Sequence, residues 1–231
     1  MMGFRWHALT DLGDGAVLLP CALLMLVWLL AVPATRRTGW LWLLAVLVDG
    51  GGVALTKVLY MGWGLHPPGL DFIGLSGHGA LSVLFWPVAG VVMIGRNRPR
   101  LRVLMIALGA CLALAVTVSR LVLHDHSPSE AILGALWGAL LAAGFLALTW
   151  RHPVEAPALR PWIVLSVLLL IVLTFGHKFP SNRVLAWAAL RASGHTAIYT
   201  RCALGPRAQL SNDDESCRKL HSARAKEHPL L

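Results

Sequence analysis

The chain has 231 residues, 57% of them hydrophobic and only 13% charged, with a mean hydropathy of +0.67; soluble domains carry roughly 45–50% apolar and about 25% charged residues. That balance excludes an ordinary water-facing surface and makes lipid the solvent. The formal charge of +9 is not a nucleic-acid signature, because the basic residues fall between apolar stretches or in the C-terminal tail and follow no groove-reading motif.

In chain order, the leader holds Thr10, Asp11 and Asp14 and lacks the basic start and cleavage pattern of a signal peptide. Six apolar stretches follow, at Gly15 to Pro33, Gly39 to Leu59, His78 to Ile94, Val103 to Leu123, Glu130 to Trp150 and Pro161 to Gly176. Most approach the roughly 20 residues that cross a bilayer as a helix. Their continuous apolarity argues helix, since membrane strands alternate. The expected fold class is therefore all-α: a polytopic membrane bundle over 1–176 with about six transmembrane helices, then a polar, basic and partly disordered tail over 177–231. Within that tail, Arg183 to Leu190 suits a short interfacial helix, and Asn212 to Glu227 is polar and charged. Trp40, Trp42, Trp150 and Trp162 stand at span ends, where interfacial anchors sit. Gly134, Gly138 and Ala142 form a small-xxx-small row for close helix packing.

Alternate loops differ in basic content. Arg36, Arg37, Arg96, Arg98, Arg100, Arg102, Arg151 and Arg160 fall on one side, which the positive-inside rule makes cytoplasmic. The loops 60–77 and 124–129 then face outward, as expected of an integral inner-membrane protein of a bacterium whose site opens to the periplasmic side.

Of the four cysteines, Cys21 and Cys111 lie inside apolar stretches as packing residues. Cys202 and Cys217 can pair only in an oxidising compartment, and no Cys/His metal spacing occurs. Asp49 lies mid-span, where a carboxylate is costly, so it is expected to face the bundle interior, protonated or paired. The adjacent Gly50-Gly51-Gly52 lacks the order of a phosphate loop and indicates a kink or close packing.

Polar residues cluster in two places on one side. The first runs from Lys57 through His66 and Asp71 to Ser76-Gly77-His78; the second is Ser119-Arg120, five residues, His126, three residues, Glu130. These are the parts of an anion site. Lys57 and Arg120 neutralise phosphate oxygens, Arg with a planar fork, and Ser76 and the Gly77 amide open a span where helix amides favour an anion. Simpler readings exist for single members. Ser127-Pro128-Ser129-Glu130 is a capping box, Lys57 is placed to snorkel, Asp71 suits a turn, and His124 and Asp125 suit a solvated loop.

Ser76-Gly77-His78 and Ser119-Arg120-(x5)-His126-(x3)-Glu130 resemble the second and third motifs of the type 2 phosphatidic acid phosphatase family, which shares its site with vanadium haloperoxidases. The likeness covers roughly 57–150. Leu75 replaces the proline of P-S-G-H, and Glu130 replaces the aspartate of S-R-x5-H-x3-D. The first motif, K-x6-R-P, begins at Lys57 but meets Gly64 at its arginine position, with His66-Pro67 two residues later. A second Ser-Gly-His, at Ser193 to His195, lacks partners and is incidental. The resemblance implies a lipid-phosphate phosphatase that needs neither metal nor cofactor, with a membrane lipid phosphate or polyprenyl diphosphate as substrate. His126 would attack phosphorus, Glu130 would orient it, and His78 would protonate the leaving group. Lys57, Ser76, Gly77 and Arg120, with His66 standing in for the missing arginine, would hold the phosphoryl oxygens. A catalytically silent phosphate-binding protein of the same fold is the alternative. A small transporter is weaker, since no internal repeat is present.

Overall fold

A computed structural model of the protein describes residues 2–94, 98–150 and 160–201. Among them there are helices and no strands: α1 (Met2–Asp11), α2 (Gly15–Ala31), a 3-10 turn at Pro33–Thr35, α3 (Arg36–Trp63), α4 (Gly77–Val92), α5 (Pro99–Val122), α6 (Pro128–Thr149), α7 (Arg160–Thr174) and α8 (Ser181–Ser193). All six apolar stretches are helices, so the all-α membrane bundle is the observed fold. Four segments are long and apolar enough to cross a bilayer, Trp6–Ala31, Pro33–Trp63, Pro99–Val122 and Pro128–Thr149, and two apolar helices are shorter, Gly77–Val92 and Val164–Thr174. Leu44, Leu47, Leu55, Leu136, Leu140 and Val172 are exposed, an apolar outer surface that suits acyl chains and would not suit water. The chain is an integral membrane protein.

Contacts divide the chain into two compact units. The first comprises Met1–Val53 and Leu75–Phe179; the second comprises Ala54–Gly74 with the described residues from Pro180 onward.

In the first unit α4 is central. Its Ala80, Leu81, Leu84, Phe85, Val88 and Val92 are all buried, as expected of a helix that is apolar all round. Lipid tails are as apolar as leucine, so helices in a bilayer associate through close packing rather than through escape from water. Glycine supplies that closeness. A Cβ at Gly109 of α5 would lie 2.6 Å from the Pro87 nitrogen, and one at Gly134 of α6 would lie 2.7 Å from the Ser76 carbonyl. The row Gly134, Gly138 and Ala142 thus packs on a neighbour as expected, and Gly134 and Gly138 both pack on α4. From α2, Leu18, Cys21, Ala22, Met25 and Leu29 join the same core.

Two expectations are corrected here. Trp42 is not an interfacial anchor: it is fully buried, its indole donates to the Ala22 carbonyl at 3.0 Å, and its ring meets Phe145 edge-on at 5.7 Å. Its place near a span end was misleading because α3 begins at Arg36, three residues before the apolar run, which carries Trp42 into the core. Trp40 and Trp162 are exposed. Arg102 is not a loop residue but lies in the first turn of α5. It is buried, donates to the Trp150 carbonyl at 3.2 Å and stacks on the Trp150 ring, so it caps the end of α6 where a cation is favoured.

Asp49 is buried on the stripe of α3 that carries Trp42 and Ala45, and its Oδ1 has no hydrogen-bond partner among the described residues. Helix α3 runs unbroken through Gly50-Gly51-Gly52. Gly52 is a close-packing position, with the Trp137 indole where a side chain would stand.

In the second unit the segment 180–201 folds onto the end of α3 and the loop after it. Tyr60 Oη donates to the Thr200 carbonyl at 2.9 Å, the Tyr199 amide to the Met61 carbonyl at 2.8 Å, and Arg201 pairs with Asp71 at 3.5 Å. The expected helix at Arg183 to Leu190 is present as α8. Gly194 ends it in the left-handed region, and the His195 ring bonds the Gly62 carbonyl at 2.8 Å. The second Ser-Gly-His therefore closes a helix, whereas Ser76-Gly77-His78 opens one. Cys202, Cys217 and the segment Asn212 to Glu227 lie outside the described residues.

Candidate active site

The third motif is shaped by how α5 stops and α6 starts. Leu123 is the last α5 residue of helical geometry, and His124 follows at φ 56°. The His124 amide donates to the Leu121 carbonyl and the Asp125 amide to the Arg120 carbonyl, both at 3.0 Å. That pair of bonds is a Schellman cap, with His124 at the position that glycine usually takes. The tight turn leaves Arg120 in the last turn of α5 and delivers His126 one residue before the Ser127 N-cap of α6. Pro128 then sets the first helical residue and Glu130 falls at the third. The spacing between Arg120, His126 and Glu130 is the length of one helix cap plus one helix start.

Glu130 serves two groups with one oxygen. Its Oε2 lies 2.7 Å from His126 Nδ1 and accepts the Ser127 amide at 3.3 Å, while the Glu130 amide donates to Ser127 Oγ at 3.4 Å. The capping box and the histidine contact are thus realised together, and the Glu130 side chain is fully buried. A buried carboxylate on Nδ1 fixes the imidazole's tautomer and directs Nε2 away from it.

The second motif meets the third. Ser76 is the N-cap of α4, its Oγ accepting the Gly79 amide at 3.4 Å, and its own amide donates to the Glu130 carbonyl at 3.1 Å. Gly77 and His78 form the first turn of α4, whose amides and dipole favour an anion. The start of α4, the end of α5 and the start of α6 therefore lie at one end of the first unit, carrying Ser76, Gly77, His78, Arg120, His126 and Glu130.

Residues from the leader, which sequence reasoning left without a role, complete this end. Asp14 Oδ2 lies 3.2 Å from His78 Nε2. Arg120 Nη1 donates to Thr10 Oγ1 at 3.2 Å and pairs with Asp125 at 2.9 Å, so Asp125 is an ion-pair partner and not merely a solvated loop residue. Arg120 Nε is buried with no acceptor among the described residues. A buried guanidinium with an unused donor is suited to an anion's oxygen.

Lys57 and His66 belong to the second unit. Lys57 Nζ donates to Asn182 Oδ1 at 3.3 Å, and Gly74, at φ 136°, packs over the lysine stem with no room for a side chain. His66 Nδ1 lies 3.1 Å from the Pro67 carbonyl, and its ring meets Tyr60. Gly64, at the first-motif arginine position, has φ 67° and lies against the Tyr199 ring, a backbone state that disfavours a side chain there.

The model of the PAP2 superfamily matches residues 59–153, which contain both the Ser-Gly-His and the Ser-Arg-x5-His segments. A Klebsiella pneumoniae relative, named "Uncharacterized 22.5 kDa protein in cps region", is 36% identical over 200 residues, covering 85% of this chain and 96% of the relative. This chain belongs to the PAP2 superfamily. No solved structure matches it. PAP2 superfamily proteins are typically phosphatases, and the apolar helices fit a membrane-associated phosphate ester as substrate. In this PAP2 chain the family's match begins after α1 and α2, so Thr10 and Asp14 are contributions from outside the matched segment.

Proposed function

We propose that the chain hydrolyses a membrane lipid phosphate or diphosphate through a phosphohistidine at His126, without metal. The observation that carries this reading is the buried Glu130 carboxylate on His126 Nδ1, at the same end of the first unit as an Arg120 that has a buried donor to spare. His126 Nε2 donates its lone pair to phosphorus while the bond from phosphorus to the lipid oxygen breaks. The leaving oxygen keeps that electron pair and takes a proton from His78. Water then attacks the phosphohistidine, passing a proton to His78 as the bond from phosphorus to Nε2 breaks, which releases phosphate and restores both histidines. Histidine is a competent covalent nucleophile, and phosphoryl transfer needs mainly positioning and charge stabilisation. Arg120, Ser76 and the Gly77 amide supply the latter in this reading, and Lys57 joins them on the strength of the first motif. The substrates in view are phosphatidate, phosphatidylglycerol phosphate, lipid A and polyprenyl diphosphates. In this reading the site faces the periplasmic side of a bacterial inner membrane, which the basic loops on the opposite side support.

A second reading has its own observation. Gly64 stands where the first motif has arginine, and its positive φ suits glycine. A site one fixed positive charge short could hold phosphate without turning it over. Purified protein in detergent, assayed for phosphate release from a panel of these lipids in EDTA, separates the two. Orthovanadate-sensitive release supports the phosphatase. Vanadate binding without release supports the silent binder.

A further inference from the structure

We infer that Asp14 is the positioning residue of His78, holding its ring so that the proton for the leaving oxygen sits on the nitrogen turned away from Asp14. The inference rests on the phosphatase reading and concerns a residue outside the segment matched to the family.

Asp14 is the N-cap of α2 and is buried. Its Oδ1 accepts the Ala16 amide at 2.8 Å and the Phe179 amide at 3.0 Å, so one oxygen is anchored by two backbone donors from separate parts of the first unit. The other oxygen is the one that faces His78 Nε2 at 3.2 Å. Capping needs a single acceptor. The second, held rigid by the first, orients the His78 ring as Glu130 orients that of His126; here it leaves the transferable proton on the far nitrogen and stabilises the cationic ring. The proton on Nδ1 is then the one given to the lipid oxygen as the bond from phosphorus breaks. The same short turn between α1 and α2 also brings Thr10 to Arg120, so the leader braces the acid and the anion-binding arginine together.

The test uses the full chain in detergent with two substrates, dioctanoyl phosphatidate, whose alkoxide must be protonated, and 4-nitrophenyl phosphate, whose phenolate leaves unaided. Asp14→Asn keeps the cap, because asparagine is as good an N-cap as aspartate, and removes the charge. The expected result is a kcat loss on phosphatidate of about 100-fold, at least about tenfold greater than the loss on 4-nitrophenyl phosphate, with KM nearly constant. Asp14→Ser, a strong cap too short to reach His78, is expected to show the same leaving-group bias and guards against a folding defect peculiar to asparagine. Equal losses on both substrates, or no loss on either, would overturn the assignment. A wild type inert toward both substrates and toward the whole lipid panel would instead overturn the phosphatase reading, and this inference with it.

Discussion

Glu130 Oε2 lies 2.7 Å from His126 Nδ1 and receives the Ser127 amide on the same atom, so one carboxylate oxygen joins the start of α6 to the imidazole before it. Glutamine at this position can still complete a capping box, but it cannot balance an imidazolium. Glu130→Gln is expected to lose at least about 100-fold in turnover while thermal stability in detergent stays near wild type. Glu130→Asp, which keeps the charge, should retain more activity than Glu130→Gln. An active and stable Glu130→Gln would reduce Glu130 to a cap.

Arg120 holds Thr10 and Asp125 through Nη1 and has a buried Nε without an acceptor among the described residues. Lysine would keep the charge and lose the fork. Arg120→Lys is expected to weaken orthovanadate inhibition by at least about tenfold, the scale of one charge-assisted hydrogen bond. Unchanged vanadate sensitivity would show that the guanidinium only braces the turn.

His124 sits at φ 56° in the Schellman cap of α5. A left-handed conformation costs a non-glycine residue roughly 1–2 kcal/mol, partly offset by the added freedom glycine brings to the unfolded chain. His124→Gly should therefore stabilise the protein by about 0.5–1 kcal/mol and leave turnover intact. A lower melting temperature would contradict the cap.

Gly134 lies against the Ser76 backbone, whereas nothing lies within 4 Å of a Cβ built at Gly144. Gly134→Val should force α6 off the start of α4 and break the Ser76 to Glu130 hydrogen bond. Overpacking of this kind costs about 1–3 kcal/mol, so melting temperature and activity should fall together. Gly144→Ala on the same helix should be tolerated, and equal effects at both sites would deny that α6 packs through Gly134.

The helices were legible because lipid demands long apolar runs, and each of the six became a helix within a few residues of its expected ends. Ser76 to His78 and Arg120 to Glu130 were legible because capping and turn chemistry act over short sequence distances. The partners Asp14 and Thr10 were not, since they reach His78 and Arg120 across 64 and 110 residues and sit in a leader with no motif. Trp42 misled for the opposite reason: its local setting suits an interface, and only the packing of Ala22, Phe85 and Phe145 around it shows a core residue. Arg102 likewise reads as loop charge from its sequence neighbours, and only the Trp150 ring beneath it shows a packed side chain.

The central claim is that His126 becomes phosphorylated, and trapping the phosphoenzyme tests it most directly. Wild-type protein in detergent, mixed with 32P-labelled phosphatidate in EDTA and quenched in alkaline denaturant, should carry acid-labile label on the peptide containing His126. His126→Ala, with its fold verified by thermal stability, should carry none and release no phosphate. Phosphate release by His126→Ala at the wild-type rate, or label resting on another residue, would contradict the account.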